Sequence, residues 1–231
     1  SLLLLGCSSE VREDNKEAKV AITPSNQHHS IQVFTSDNVD NMITAKTVVQ
    51  ALKSKGFVID GNKDISIAFK QYFKSQQYKS YNLIMFKKND LTLKLVKKYP
   101  GFGTMVPLSM SMWSDGQSIN ISTLSLHGMA RAGEIPLEDK DLQAYANLIN
   151  EVLAIAMPQG NKRILENTPV TSEVSFITKF NRDIVLDKDS TITMYKEDFQ
   201  EELEESLESL GFVIPNYNNL LEDLFEEAQY D

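Results

Sequence analysis

The side chains here that could do chemistry are few. They are one cysteine, Cys7, three histidines, His28, His29 and His127, and the run Met110-Ser111-Met112-Trp113 with Ser109, Ser122 and Ser125 around it. Paired thioethers are ligands for Cu(I), which makes Met110 and Met112 a candidate copper site. In an alternating strand, however, Val106, Leu108, Met110 and Met112 share one face, and methionine fills irregular cores well. Core packing is therefore the preferred reading. Trp113 falls on the opposite face, where it could line a groove or cap an edge. Adjacent His28 and His29 point apart on an extended chain, which makes a poor preformed metal site. His127, in Leu126-His127-Gly128-Met129, reads as a surface-loop histidine. It has the chemistry of a general base, but spacing identifies no partner for it. No Gly-x-Ser-x-Gly, Walker or dinucleotide fingerprint occurs, and no 12-residue Asp/Asn calcium loop occurs. The sequence assigns no catalytic residue, no metal and no cofactor, and it leaves the ligand unknown.

Cys7 stands in Ser1-Leu2-Leu3-Leu4-Leu5-Gly6-Cys7-Ser8-Ser9-Glu10. An apolar run stops at Gly6-Cys7 and gives way to serine and charge. The pattern resembles the lipobox of a bacterial lipoprotein signal, in which the cysteine is diacylated and becomes the mature N-terminus. That resemblance makes residues 1–7 the remnant of a signal whose initiator Met and basic segment are not in the sequence. It implies a protein of the bacterial cell envelope facing the periplasm. Ser8 rather than Asp after the cysteine favours the outer membrane. Five apolar residues are too few to span a bilayer, and no other segment approaches the ~18 required. The membrane is reached through a lipid anchor rather than a spanning helix.

Thirty-two acidic against 23 basic side chains give a formal charge of −9. That argues against nucleic acid as a partner, because phosphate binding needs clustered Lys and Arg. The local basic stretch, Lys87, Lys88, Lys94, Lys97 and Lys98, reads as the solvated face and start of one helix. The acidic run 197–208 carries Leu203 and Leu207 at helical spacing and reads as an amphipathic helix with a solvated face. A single cysteine rules out an internal disulfide. An apolar content of 42% suffices for ordinary globular cores.

Positioning falls to a series of interleaved elements. Residues 8–29 are polar, with little periodicity, and read as a flexible tether. Residues 31–34 are β-prone. Helical spacing over 38–55 is stopped by Gly56. A strand follows over 57–59, then a helical stripe at Ile65, Phe69, Tyr72 and Phe73, then a strand over 81–86. Asp90 is the predicted cap of a helix ending before Pro100. Residues 105–113 and 118–124 form a hairpin through Ser114-Asp115-Gly116. Pro136 is the predicted start of a last helix, closed by Pro158. The first domain is thus 30–158, followed by a linker over 159–172.

A repeat then appears. Residues 52–59 and 207–214 agree at six of eight positions, each with Gly-Phe-Val-Ile after a helical stripe. A β-prone run precedes each, at 31–34 and at 174–180, and another stripe follows, at Ile65 and Phe69 or at Leu220 and Leu224. Residues 173–231 therefore read as an incomplete second copy of the same domain, cut before its last elements.

An ordered series now carries a family resemblance. It comprises Leu52-x-x-x-Gly56-Phe57-x-Ile59, Tyr81-Asn82-Leu83-Ile84-x-Phe86, then Asn89, Leu91, Leu95, Pro100 and Gly103, and finally Val106-Pro107-Leu108 leading to Trp113 and a strand at 119–122. The chain resembles the domain of unknown function 302 family over about 30–158. The resemblance implies an α+β fold, a TATA-binding-protein-like curved antiparallel sheet with helices packed on one side, here followed by a partial second copy. Many members carry a His shortly after the Gly-Phe strand. This chain has Asn62, Lys63 and Asp64 there. The family supplies a fold and no activity.

The function expected is that of a lipid-anchored envelope protein acting as a noncatalytic binding or assembly module. A second copy of itself or another envelope protein would be its partner. Two alternatives stand beside it: an enzyme whose site forms between domain copies or subunits, and an envelope Cu(I)-binding protein using Met110 and Met112.

Overall fold

The computed structural model describes residues 30–72, 78–163, 183–186, 188 and 191–214. Six strands, β1 (Ile31–Asp37), β2 (Val58–Asp64), β3 (Ser80–Lys87), β4 (Leu108–Ser114), β5 (Ser118–Leu124) and β6 (Asn161–Arg163), form one sheet. Their order is β2-β3-β4-β5-β1-β6, and every neighbouring pair is antiparallel. The helices are α1 (Ala45–Ser54), α2 (Ser66–Tyr72), α3 (Asn89–Lys98), α4 (Leu126–Gly133), α5 (Lys140–Ala156) and α6 (Ile192–Ser209). This is the expected α+β architecture, an antiparallel sheet with helices on one side.

The pleat explains the core. Ile84 and Phe86 of β3 lie opposite Met110 and Leu108 of β4, and Met112 lies opposite Ile121 of β5. All six are nearly or wholly removed from solvent. Val48 and Leu52 of α1, Leu95 of α3 and Leu142, Ile149 and Val152 of α5 cover that face. Phe57 sits between the layers, edge-on to Phe86 at 5.4 Å and to Tyr145 at 5.8 Å. Burying each such side chain stabilises by roughly 1.5–3 kcal/mol.

Local chemistry sets the ends of α1. Thr44 and Thr47 cap each other's backbone N–H groups, at 3.3 and 2.9 Å. The expected start near residue 38 moves to Ala45 because 39–44 form a turn instead. Gly56, at φ +74°, ends the helix. The Phe57 N–H donates to the Leu52 carbonyl at 3.1 Å and the Gly56 N–H to the Lys53 carbonyl at 2.9 Å, a Schellman stop.

Several expectations need correction. Asp90 is not the cap of α3. Lys88 holds that position without a side-chain hydrogen bond, and Asp90 pairs with Lys88 at 3.1 Å from the first turn. Pro136 does not open α5. Asp139 caps it, its carboxylate accepting from the Asp141 and Leu142 N–H groups at 3.0 and 3.1 Å. The segment read as a loop around His127 is α4, begun by Ser125, which accepts from the Gly128 N–H at 3.0 Å. Only glycine fits at 128, since a Cβ there would lie 1.9 Å from the Ser30 carbonyl oxygen. The sheet also runs past 158, because 161–163 pair with β1. In the second Gly-Phe-Val-Ile run, residues 212–214 form no strand.

Candidate functional site

A cavity of about 310 Å3 opens where the start of α1 meets the ends of β3, β4 and β5. Its apolar floor is Ile43, Met112 and Ile119, and the rest of its wall is mostly neutral and hydrogen-bonding. The 38–44 turn brings Asn38, Asn41 and Thr44. The core-facing parity of β3 brings Ser80 and Asn82, which pair with Ser114 and Met112 of β4. Lys79 is the one ionisable residue on the wall.

Two of these polar groups are spent on structure. The Asn38 carboxamide donates to the Ile43 carbonyl at 2.8 Å and accepts from the Ile43 N–H at 2.9 Å, which ties the turn together. The Ser114 hydroxyl donates to the Ser118 carbonyl at 2.7 Å and accepts from the Gly116 N–H at 2.9 Å. Sequence reasoning missed this site. One signal could have found it: Asn82 occupies the same strand parity as Ile84 and Phe86, where an apolar residue is the rule.

A larger cleft of about 520 Å3 lies beside α4, with His127, Arg131 and Glu134 on its wall. All three already have interaction partners, so the smaller cavity holds the more available polar groups.

The other sequence candidates scatter. Met110 and Met112 face the core, at 0% and 4% exposure, and only Met112 reaches the cavity wall. Trp113 takes the opposite face as the alternation predicts. It stacks on Tyr81 with centroids 6.2 Å apart, and Tyr78 stands at its edge. Cys7, His28 and His29, together with residues 174–180, Leu220 and Leu224, lie outside the described residues. Among the described residues no group of three or more His, Cys, Asp or Glu could hold a metal ion. No helix there is long and apolar enough to cross a membrane.

The basic stretch is not one solvated face. Lys87 is a buried residue of β3, and its ammonium pairs with Asp60 at 3.1 Å. Lys98 pairs with the buried Asp139, which also accepts from the Tyr99 hydroxyl at 3.2 Å. Burial pushes the Asp139 carboxyl up. Hydrogen bonds from Lys98, the Leu142 N–H and Tyr99 outweigh it and hold the group below the usual carboxylate value. Tyr145 accepts from the Lys88 N–H at 3.0 Å, and burial pushes its phenol up to about 12. These ionisable groups join α3 to α5 and β2 to β3.

The fold and cavity define a sheet-and-helix α+β domain with a recess, at the start of α1 and the ends of β3, β4 and β5, lined mostly by neutral hydrogen-bonding groups. The family model described as "Domain of unknown function DUF302" matches residues 32–156, more than half of the chain, and the chain belongs to that family. Among solved structures it is similar to an uncharacterized conserved protein DUF302 from Bacillus stearothermophilus. The TM-score is 0.45 and the identity 10%, over 54% of this chain and 97% of that one. No curated protein matches the chain.

Proposed function

We propose that this chain is a lipid-anchored, noncatalytic binding module of the bacterial cell envelope. Acylated Cys7 holds it to the membrane, with the outer membrane favoured by Ser8, and residues 8–29 act as the tether. The domain that begins at residue 30 and includes β6 binds the ligand, and 173–231 begins a second copy. The Leu4-Leu5-Gly6-Cys7 box supports the anchor. The helix stop at Gly211, built with the same hydrogen bonds as the one at Gly56, supports the second copy.

The observation that carries the binding role is the 310 Å3 cavity. Its wall offers carboxamides and hydroxyls that orient a ligand, and its single ionisable group is a lysine. A proton-transfer site needs an acid or base paired with a reacting group, and a nucleophile needs its activating base. Carboxamides and hydroxyls supply recognition instead. The methionine pair does not converge on this cavity, since only Met112 reaches its wall.

The test uses Met112 as reporter. Protein labelled at its methionine methyl groups is titrated with the small-molecule fraction of an envelope extract. The Met112 resonance should move while that of Met129, a buried residue of α4, stays in place. A Met112 signal that stays fixed at saturating extract removes the cavity from the function. For the anchor, Cys7→Ser in a bacterial host with a full signal should abolish labelling by a clickable palmitate analogue, and persistent labelling counts against it.

A further inference from the structure

The other polar groups on the cavity wall keep hydrogen-bonding capacity beyond what the structure uses. The Asn82 carboxamide makes no hydrogen bond to any described residue, so both its donor and its acceptor are available. The Ser80 hydroxyl is likewise unspent. Asn41 uses its amide nitrogen on the Val39 carbonyl at 3.3 Å and keeps its oxygen. Thr44 accepts from the Thr47 N–H and keeps its proton to donate. Lys79, exposed at the rim, is in none of the ion pairs of the described residues. Not one carboxylate stands on the wall.

We propose that the cavity binds a small hydroxylated carboxylate of the sugar-acid class. The proposal rests on the reading of the cavity as a ligand site and names its ligand. A cationic ligand would meet Lys79 and no counter-charge. A carboxylate would pair with the Lys79 ammonium by a charge-assisted hydrogen bond. Ligand hydroxyls both donate and accept, as the Asn82 carboxamide and the Ser80 hydroxyl do. The C–H face of a sugar ring suits the apolar floor of Ile43, Met112 and Ile119. The volume lies at the small end of ligand pockets, about 300–1,000 Å3, which selects a single ring over a chain. The net charge of −9 acts against any anion at long range. It is screened beyond about 8 Å at physiological salt, which leaves Lys79 to decide locally.

Calorimetric titration of the full chain with D-glucuronate, D-glucose and D-glucosamine tests this. D-glucuronate should bind saturably and tighter than D-glucose, and D-glucosamine weakest. Lys79→Gln, at an exposed position, should weaken D-glucuronate about tenfold. Asn82→Leu should abolish binding, and Lys94→Gln, on the exposed side of α3, should leave it unchanged. D-glucosamine binding as tightly as D-glucuronate, or D-glucuronate binding that ignores Lys79→Gln, overturns the ligand class while leaving a cavity that binds. Absence of D-glucuronate binding also overturns it. In that case the Met112 methyl titration decides separately whether the cavity binds anything.

Discussion

Residues 52–57 and 207–212 end their helices with the same hydrogen bonds. Phe57 N–H to the Leu52 carbonyl and Phe212 N–H to the Leu207 carbonyl are both 3.1 Å. Gly56 N–H to Lys53 is 2.9 Å, and Gly211 N–H to Glu208 is 2.8 Å. Both glycines hold a positive φ, +74° and +87°. Beyond the glycine the two regions part. Phe57 is 3% exposed and leads into β2, which pairs with β3. Phe212 is 61% exposed, Val213 is 85% exposed, and no strand forms at 212–214.

The difference separates what a short sequence dictates from what tertiary packing adds. A Schellman stop needs a glycine, a helix and little else, so it forms in both places. A strand needs a neighbour to take its backbone hydrogen bonds, and a phenylalanine needs a cavity of its own shape. β3 and Tyr145 supply these to the first copy. The stripe on α6 carries Phe199 and Leu203 at 45% and 48% exposure, whereas Val48 and Leu52 of α1 are fully buried. Closely similar local sequence is thus compatible with opposite burial.

The largest effect that could break this comparison is at the phenylalanines. Phe57→Ala should cost about 3–5 kcal/mol, as for other buried aromatics. Phe212→Ala should stay within about 0.5 kcal/mol, as for surface changes. Denaturant titration of the two variants decides. Equal losses would mean that Phe212 belongs to a packed unit.

Legibility followed the same division. The Met strand was readable because a two-residue period places Leu108, Met110 and Met112 on one face whatever lies beyond. Gly56 was readable as a stop for the local reason above. α4 was not, because Gly128 and Gly133 lower helix propensity and the helix is held by Ser125 and by close contact with Ser30. β6 has the sequence Asn-Lys-Arg, with no apolar pattern, and exists only by pairing with β1. At α5 two start signals competed, and the Asp139 carboxylate, with Lys98 and Tyr99 to satisfy its second oxygen, prevailed over Pro136. The cavity was the least legible feature. Asn41, Asn82 and Ile119 come from separate stretches with no common period, and only the fold brings them together.

The finest test compares the glycines themselves. A residue with a Cβ at positive φ pays roughly 1–2 kcal/mol for the left-handed backbone. At Gly56 the added Cβ would also come 3.1 Å from the Lys88 ammonium nitrogen, the mobile end of a side chain that can give way. At Gly211 it would meet nothing within 4 Å. The local cost is therefore nearly the same at both sites, and only its coupling to the rest of the protein differs. Gly56→Ala should lower the denaturation midpoint of the domain, because the stop positions Phe57 in the core. Gly211→Ala should leave that midpoint unchanged and show only as lost protection of the Gly211 and Phe212 amides in hydrogen exchange, the signature of a frayed end. A matching fall in midpoint for Gly211→Ala would show that the second stop is tied to a cooperative unit. The two regions would then differ in which partner covers them and not in whether one does.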